Sequence, residues 1–200
     1  MTTQAAYTLI GDLVGSRQLA DRAGAQRRLG EVLTEVTGQL GPLQPLEPTV
    51  GDEFQGAFAG LADATLATLL VRLALLPEVD VRCGIGYGEV TMHDATRRPL
   101  LQDGPGWWAA RDALDAIGSR QRTRYAGPGA GCVNAFLVCR DALVERLNER
   151  AWRMLRMALL GETQQRIAEV EGVSKSAVSQ QFSRGIAAVR DAQVLFASEE

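Results

Sequence analysis

The chain has 200 residues, 46% of them hydrophobic and 22% charged, with a formal net charge of −3. These figures describe a globular protein of one or two domains with a substantial core, and they exclude disorder as its dominant state. No apolar run approaches the roughly 18 residues that span a bilayer, and the first ten residues lack a signal-peptide pattern, so a cytoplasmic protein without membrane contact is expected. Cys83, Cys132 and Cys139 show no CxxC spacing, which argues against a disulfide framework and a zinc site. The single histidine, His93, removes most histidine-based catalysis from consideration. Of the 21 basic residues only Lys175 is a lysine, and the arginines are scattered. A net negative chain needs a local basic patch for any contact with nucleic acid.

In chain order, residues 7–14 read as a buried strand that ends in the turn formers Gly15 and Ser16. Leu29, Val32, Leu33, Val36 and Leu40 recur at spacings of three and four, which predicts an amphipathic helix over 24–40. Residues 41–48 are a breaker-rich connection. Two short strand-like pieces follow over 49–58, with Gly51-Asp52 forming a tight hairpin between them. A second helix is expected over 61–76, closed by Pro77, and a glycine-bearing strand over 79–90. A third helix over 107–117 and a last strand over 133–138 complete this part. The order fits an α+β fold of ferredoxin-like or palm type, with helices on one face of a mainly antiparallel sheet. After Asp141 the chain reads as helix throughout, and we place a palm domain at 1–147 and an all-α domain at 148–200.

Residues 163–184 carry the spacing of a helix-turn-helix. Ala168 is small where two helices would cross, Gly172 sits in the turn, Val173 and Val178 fill the space between the helices, and Ser174 caps the second. Lys175, Ser176, Ser179, Gln180 and Arg184 are left on the open face, a set suited to base edges and phosphates of double-stranded DNA. Such elements act as dimers on half-sites, so a homodimer is expected. The other reading is a set of packed helices, because six basic residues after 150 are cancelled by six acidic ones. The stretch resembles the helix-turn-helix of sigma-factor region 4 and of LuxR-type regulators.

Asp12 closes the first strand and Asp52 sits at the hairpin, so a palm-type sheet would bring both carboxylates to one end. Two such carboxylates are the oxygen ligands that Mg²⁺ or Mn²⁺ accepts, with Glu53 as a third. The alternative is that the two aspartates cap turns. Arg17 and Arg111 would complete a phosphate site, and Trp107 or Trp108 could stack on a base, although a tryptophan pair on a helix is more often core. Arg82 reads as the partner of a carboxylate at the sheet edge, Cys83 as a core residue, and Glu89 and His93 as solvated.

Gly51-Asp52-Glu53-Phe54 with Phe58, and the strand Val81-Arg82-Cys83-Gly84-Ile85-Gly86-Tyr87-Gly88, resemble class III nucleotide cyclases. Diguanylate cyclases share the palm fold and the Gly-Asp-Glu-Phe letters. Ile10-Gly11-Asp12-Leu13-Val14-Gly15-Ser16-Arg17, Gly51 to Gly56 and the Trp107 to Arg111 run (WWAAR) more closely resemble the SatD family of small bacterial proteins. The cyclase resemblance implies a purine-selecting lysine where this chain has Pro48, and a transition-state asparagine where it has Trp107. Absent donors of this kind cost several kcal/mol of transition-state stabilisation each.

Three functions follow as expectations. The favoured one is a DNA-binding transcriptional regulator whose palm binds a nucleotide with a divalent metal. The alternative is a metal-dependent nucleotidyl cyclase or nucleotidyltransferase with a helical targeting domain. The third is a protein-interaction module with a fossil site.

Overall fold

The computed structural model describes residues 2–94, 101–119 and 121–198. Its strands are β1 (Thr2–Leu13), β2 (Gln44–Pro48), β3 (Glu53–Phe58), β4 (Val81–Asp94), β5 (Leu101–Asp103) and β6 (Thr123–Ala126). Its helices are α1 (Arg22–Leu40), α2 (Leu61–Leu75), α3 (Pro105–Asp115), α4 (Ala130–Glu145), α5 (Glu149–Leu159), α6 (Gln164–Glu171), α7 (Lys175–Gln181) and α8 (Ala187–Ser198). The strands pair antiparallel in the order β2-β3-β1-β4-β5, and β6 adds to β4 in parallel. The α+β class and the palm-like sheet are as expected. Among the described residues no helix is long and apolar enough to cross a membrane.

Three local expectations are corrected. Residues 44–48 form a strand despite Pro45 and Pro48, because β2 is an edge strand where missing N–H donors are tolerated. Residues 133–138 lie inside α4, whose buried Val133, Leu137, Arg140, Asp141 and Val144 follow helical spacing; the short β6 ahead of it was hidden by its four-residue length. Helices cover both faces of the sheet, not one.

The second face is opened by glycine. A Cβ on Gly84 would lie 2.2 Å from the Ala110 carbonyl oxygen, and one on Gly86 would lie 2.2 Å from the Ala110 nitrogen. The backbone of α3 therefore rests directly on β4, as the glycines in that strand suggest. Thr8 fixes the contact by donating to the Gly106 carbonyl at 2.8 Å. Ala6, Ile10, Ala57, Val90, Trp107, Ala110, Leu114 and Ile117 fill this small core. On the opposite face Leu9, Leu13, Phe54, Phe58 and Ile85 pack against α1 and α2.

α2 is apolar around most of its circumference, which marks a helix covered on both sides. Ala64, Ala67, Leu70, Val71 and Leu75 belong to the sheet core, while Leu69 and Leu73 join Met154, Leu155, Ile167, Val178, Phe182, Ile186 and Val189 of the later helices. A buried polar network strengthens this junction. Arg140 donates to the Thr65 carbonyl and the Thr123 hydroxyl, both at 2.8 Å, and lies 3.4 Å from Asp141 and from Gln193 of α8. Asp141 accepts the backbone N–H groups of Arg122 and Thr123 at 2.8 Å each. Asp80 is held by Arg72 and Arg122, each at 2.8 Å.

Candidate functional site

Side chains alternate across a strand, so the residues of β1 that follow Ala6, Thr8 and Ile10 in step place Asp12 on the α3 face. Asp12 stands opposite Glu53 on β3 and opposite Arg82 on β4. Two carboxylates directly across an antiparallel pair repel, and here two arginines resolve the conflict. Arg82 spans Asp12 with Nε at 3.1 Å and Nη2 at 2.5 Å. Arg111 of α3 spans Glu53 with Nη1 at 2.9 Å and Nη2 at 2.8 Å. The result is a row of alternating charge, Arg82–Asp12–Glu53–Arg111, in which each residue is half-buried.

The bidentate pairs raise both arginines above their ordinary pKa, through the hydrogen bonds that Arg82 donates to Asp12 and Arg111 donates to Glu53. Asp115 acts on both guanidinium groups through charge, and Asp52 acts on Arg82. Asp52 itself sits in the turn between β2 and β3 and accepts a short hydrogen bond from the Ser16 hydroxyl. The turn is closed by Thr49 N–H donating to the Glu53 carbonyl at 2.9 Å, and Gln26 of α1 donates to the Gly51 carbonyl at 2.7 Å. Gly51 has φ 74°, a left-handed value that suits glycine.

Of the residues expected at a metal centre, Asp12 and Glu53 are brought side by side, while Asp52 points to Ser16. All four oxygens of Asp12 and Glu53 are engaged by guanidinium groups. Among the described residues no group of three or more His, Cys, Asp or Glu side chains could hold a metal ion. With those oxygens engaged by guanidinium groups, the arrangement as it stands does not fit a divalent cation.

Of the expected nucleotide contacts, Arg111 faces the row, and Arg17 is exposed on a 3-10 turn (Ser16–Gln18) beside Ser16. Trp107 is 7% exposed and packed in the α3 core, and its indole N–H has no partner among the described residues. The exposed tryptophan is Trp108, at 57%, fixed by its indole N–H donating to Asp103 at 2.7 Å. Burial on an amphipathic helix recurs every three to four residues, and Trp107 shares the inward face with Ala110 and Leu114. Arg82 pairs with a carboxylate, and Glu89 and His93 are exposed, as read from the sequence.

The SatD family model matches residues 6–127. No curated protein matches the chain. The guanylate cyclase domain of RhGC from Catenaria anguillulae, solved in complex with GTP, is similar at a TM-score of 0.52 and 13% identity, over 63% of this chain and 80% of that one. A bacterial light-regulated adenylyl cyclase is similar at a TM-score of 0.50 and 10% identity, over 63% of this chain and 44% of that one. At these identities the likeness is one of fold.

These comparisons overturn the expectation of a transcriptional regulator with double-stranded DNA as its partner. The similar structures are nucleotide cyclase domains, not DNA-binding regulators. Charge gives the physical reason that Lys175, Ser176, Ser179, Gln180 and Arg184 do not make a DNA face. Arg153, Arg156, Arg166 and Arg190 are paired with Glu171, Glu35, Glu169 and Asp191. Lys175 and Arg184 are then left to meet a polymer that carries a charge every ~1.7 Å. The homodimer inferred from DNA half-sites loses its basis with them.

Proposed function

This chain belongs to the SatD family, and we propose that its palm is a nucleoside triphosphate site of the nucleotidyl cyclase or nucleotidyltransferase type. The observation that carries the reading is the charge row at the open end of the sheet, where Arg82 and Arg111 present guanidinium forks on the α3 face. A fork that spans a carboxylate also spans a phosphate, with the same two parallel hydrogen bonds. Arg17 follows Ser16, whose hydroxyl donates to Asp52 beside Glu53, and in this reading it adds a further positive charge for the polyanion. The exposed ring of Trp108 offers a stacking surface on the same helix.

Turnover by such a site is slow in this reading. Pro48 and the buried Trp107 supply no polar donor where the cyclase resemblance implies one, and each missing donor costs about 3 kcal/mol, roughly a hundredfold in rate. The finer features of the reading are proposals of the same standing: a palm over 1–147, and a helical extension over 148–200 whose α6 and α7 keep helix-turn-helix spacing and serve to target the palm.

Thermal unfolding with ATP, GTP, CTP and UTP tests the reading. A ligand that binds only the folded chain raises its stability by mass action, about 2.7 kcal/mol at a hundred times Kd. At least one triphosphate should raise the melting temperature, and Arg111→Gln should abolish the rise. Incubation with Mg²⁺ or Mn²⁺ then looks for product, which Asp12→Asn should remove. No thermal shift with any of the four triphosphates would dismiss the proposal.

A further inference from the structure

The site does not fit a divalent cation as it stands, and that disagreement has a chemical explanation. Resting on the nucleotide reading above, the geometry points to an ion-pair exchange: Arg82 and Arg111 keep divalent cations off Asp12 and Glu53 until a polyphosphate takes over the two guanidinium groups.

The stoichiometry of the row supports it. Each guanidinium spans both oxygens of its carboxylate, so no oxygen of Asp12 or Glu53 is left without a charge-assisted partner. Within the row the two carboxylates are matched by the two arginines, so a bare cation drawn in by Asp52 and Asp115 finds no unengaged oxygen of Asp12 or Glu53 to bind. Mg²⁺ releases its waters reluctantly and demands near-octahedral oxygen geometry, so it gains little from carboxylates whose oxygens already point at guanidinium hydrogens. A polyphosphate changes each term. Its oxygens match the same forks, it frees the two carboxylates, and it leaves four acids, Asp12, Asp52, Glu53 and Asp115, within the electrostatic reach of the arginines it has engaged. Coupling of this kind is reciprocal, so the cation must tighten the polyphosphate by the factor through which the polyphosphate tightens the cation. Anion and cation therefore bind with positive cooperativity, each weakly without the other.

The experiment uses the full chain and two probes. Mn²⁺ binding is followed by electron paramagnetic resonance without any phosphate present, and inorganic tripolyphosphate binding is followed by calorimetry in EDTA. Wild type should leave Mn²⁺ free, while Arg82→Gln with Arg111→Gln should bind it at least about tenfold more tightly, within the usual range of coupling between sites. Tripolyphosphate should bind wild type without metal and lose at least about tenfold in affinity in the double variant, in line with the loss of two bidentate contacts. If the double variant fails to fold, Arg82→Lys and Arg111→Lys serve separately, because a lysine keeps the charge but cannot span two oxygens; each should admit Mn²⁺ more readily than wild type. Equal Mn²⁺ affinity in wild type and variants overturns the exchange while leaving the nucleotide site intact. Absence of tripolyphosphate binding to wild type overturns the nucleotide site itself.

Discussion

Replacing Arg140 by Met probes how the helical extension is joined to the palm. Arg140 is 2% exposed, and its guanidinium reaches Thr65, Thr68 and Thr123 at 2.8–3.1 Å, with Asp141 and Gln193 farther off at 3.4 Å. Burial disfavours its charged form, and Asp141 works against that. Methionine restores most of the apolar volume but none of the hydrogen bonds. Three short bonds to a charged donor are worth about 1.5–3 kcal/mol each, and removal of the arginine's own desolvation cost returns part of that. Breaking one side of a buried ion pair costs about 3–5 kcal/mol in measured cases. We expect a loss near the lower end, about 3 kcal/mol, because Asp141 keeps the N–H groups of Arg122 and Thr123. For a chain of this size that lowers the melting temperature by roughly 6–12 °C. Urea unfolding followed by circular dichroism measures it, and a loss below about 1 kcal/mol would refute the view that Arg140 ties α2, β6, α4 and α8 together.

Further outcomes follow from the same structure. Gly86→Ala should destabilise the fold by about 1–3 kcal/mol, since its Cβ would sit 2.2 Å from the Ala110 nitrogen and 2.3 Å from the Gly106 oxygen. Gly30→Ala in α1, where a Cβ meets nothing within 4 Å, should instead stabilise by about 0.5–1 kcal/mol, and calorimetry separates the two. Burial alone would raise the Asp80 pKa, but the hydrogen bonds and charge of Arg72 and the hydrogen bond of Arg122 outweigh it and hold the group below its ordinary 3.8. Its folded value being depressed, Asp80 contributes stability above that pH, and the contribution is lost as pH falls through the folded value. Asp80→Asn should accordingly flatten the acid limb of a melting-temperature profile below about pH 4. Thiol titration of the native chain should find Cys132 and Cys139, which are exposed, and miss Cys83, whose burial pushes its thiol up; denaturant should release the third.

The parts of the fold that announced themselves were those with a periodic or punctuated signature. Leu29, Val32, Leu33 and Val36 gave α1 by their spacing, Gly51 and Asp52 gave the turn, and the glycines of β4 foretold a close backbone neighbour. β2 was obscured by its prolines, which only its edge position makes tolerable. α4 was obscured because Val133 and Val138 mimic a strand, and because two of its three charged residues, Arg140 and Asp141, are buried. At the site, Asp12, Glu53 and Arg111 could be named from their neighbourhoods in the chain. That Arg82 pairs with a carboxylate was anticipated, but not that the partner is Asp12, and the pairing of Arg111 with Glu53 was not anticipated, since it depends on how α3 crosses the sheet. The helix-turn-helix reading rested on small and apolar residues such as Ala168 and Val178, which are buried in the core that the later helices share. It misled as function because a packing pattern fixes how helices cross and says nothing of the charge on the outer face.

The central claim is that the half-buried arginines at the sheet end recognise a triphosphate. Calorimetric titration of a non-hydrolysable nucleoside triphosphate into wild type and into Arg82→Gln tests it most directly. We expect saturable binding by wild type and at least about a tenfold weaker association for the variant, the cost of one bidentate phosphate contact. Equal affinities, or no heat with either chain, would contradict it.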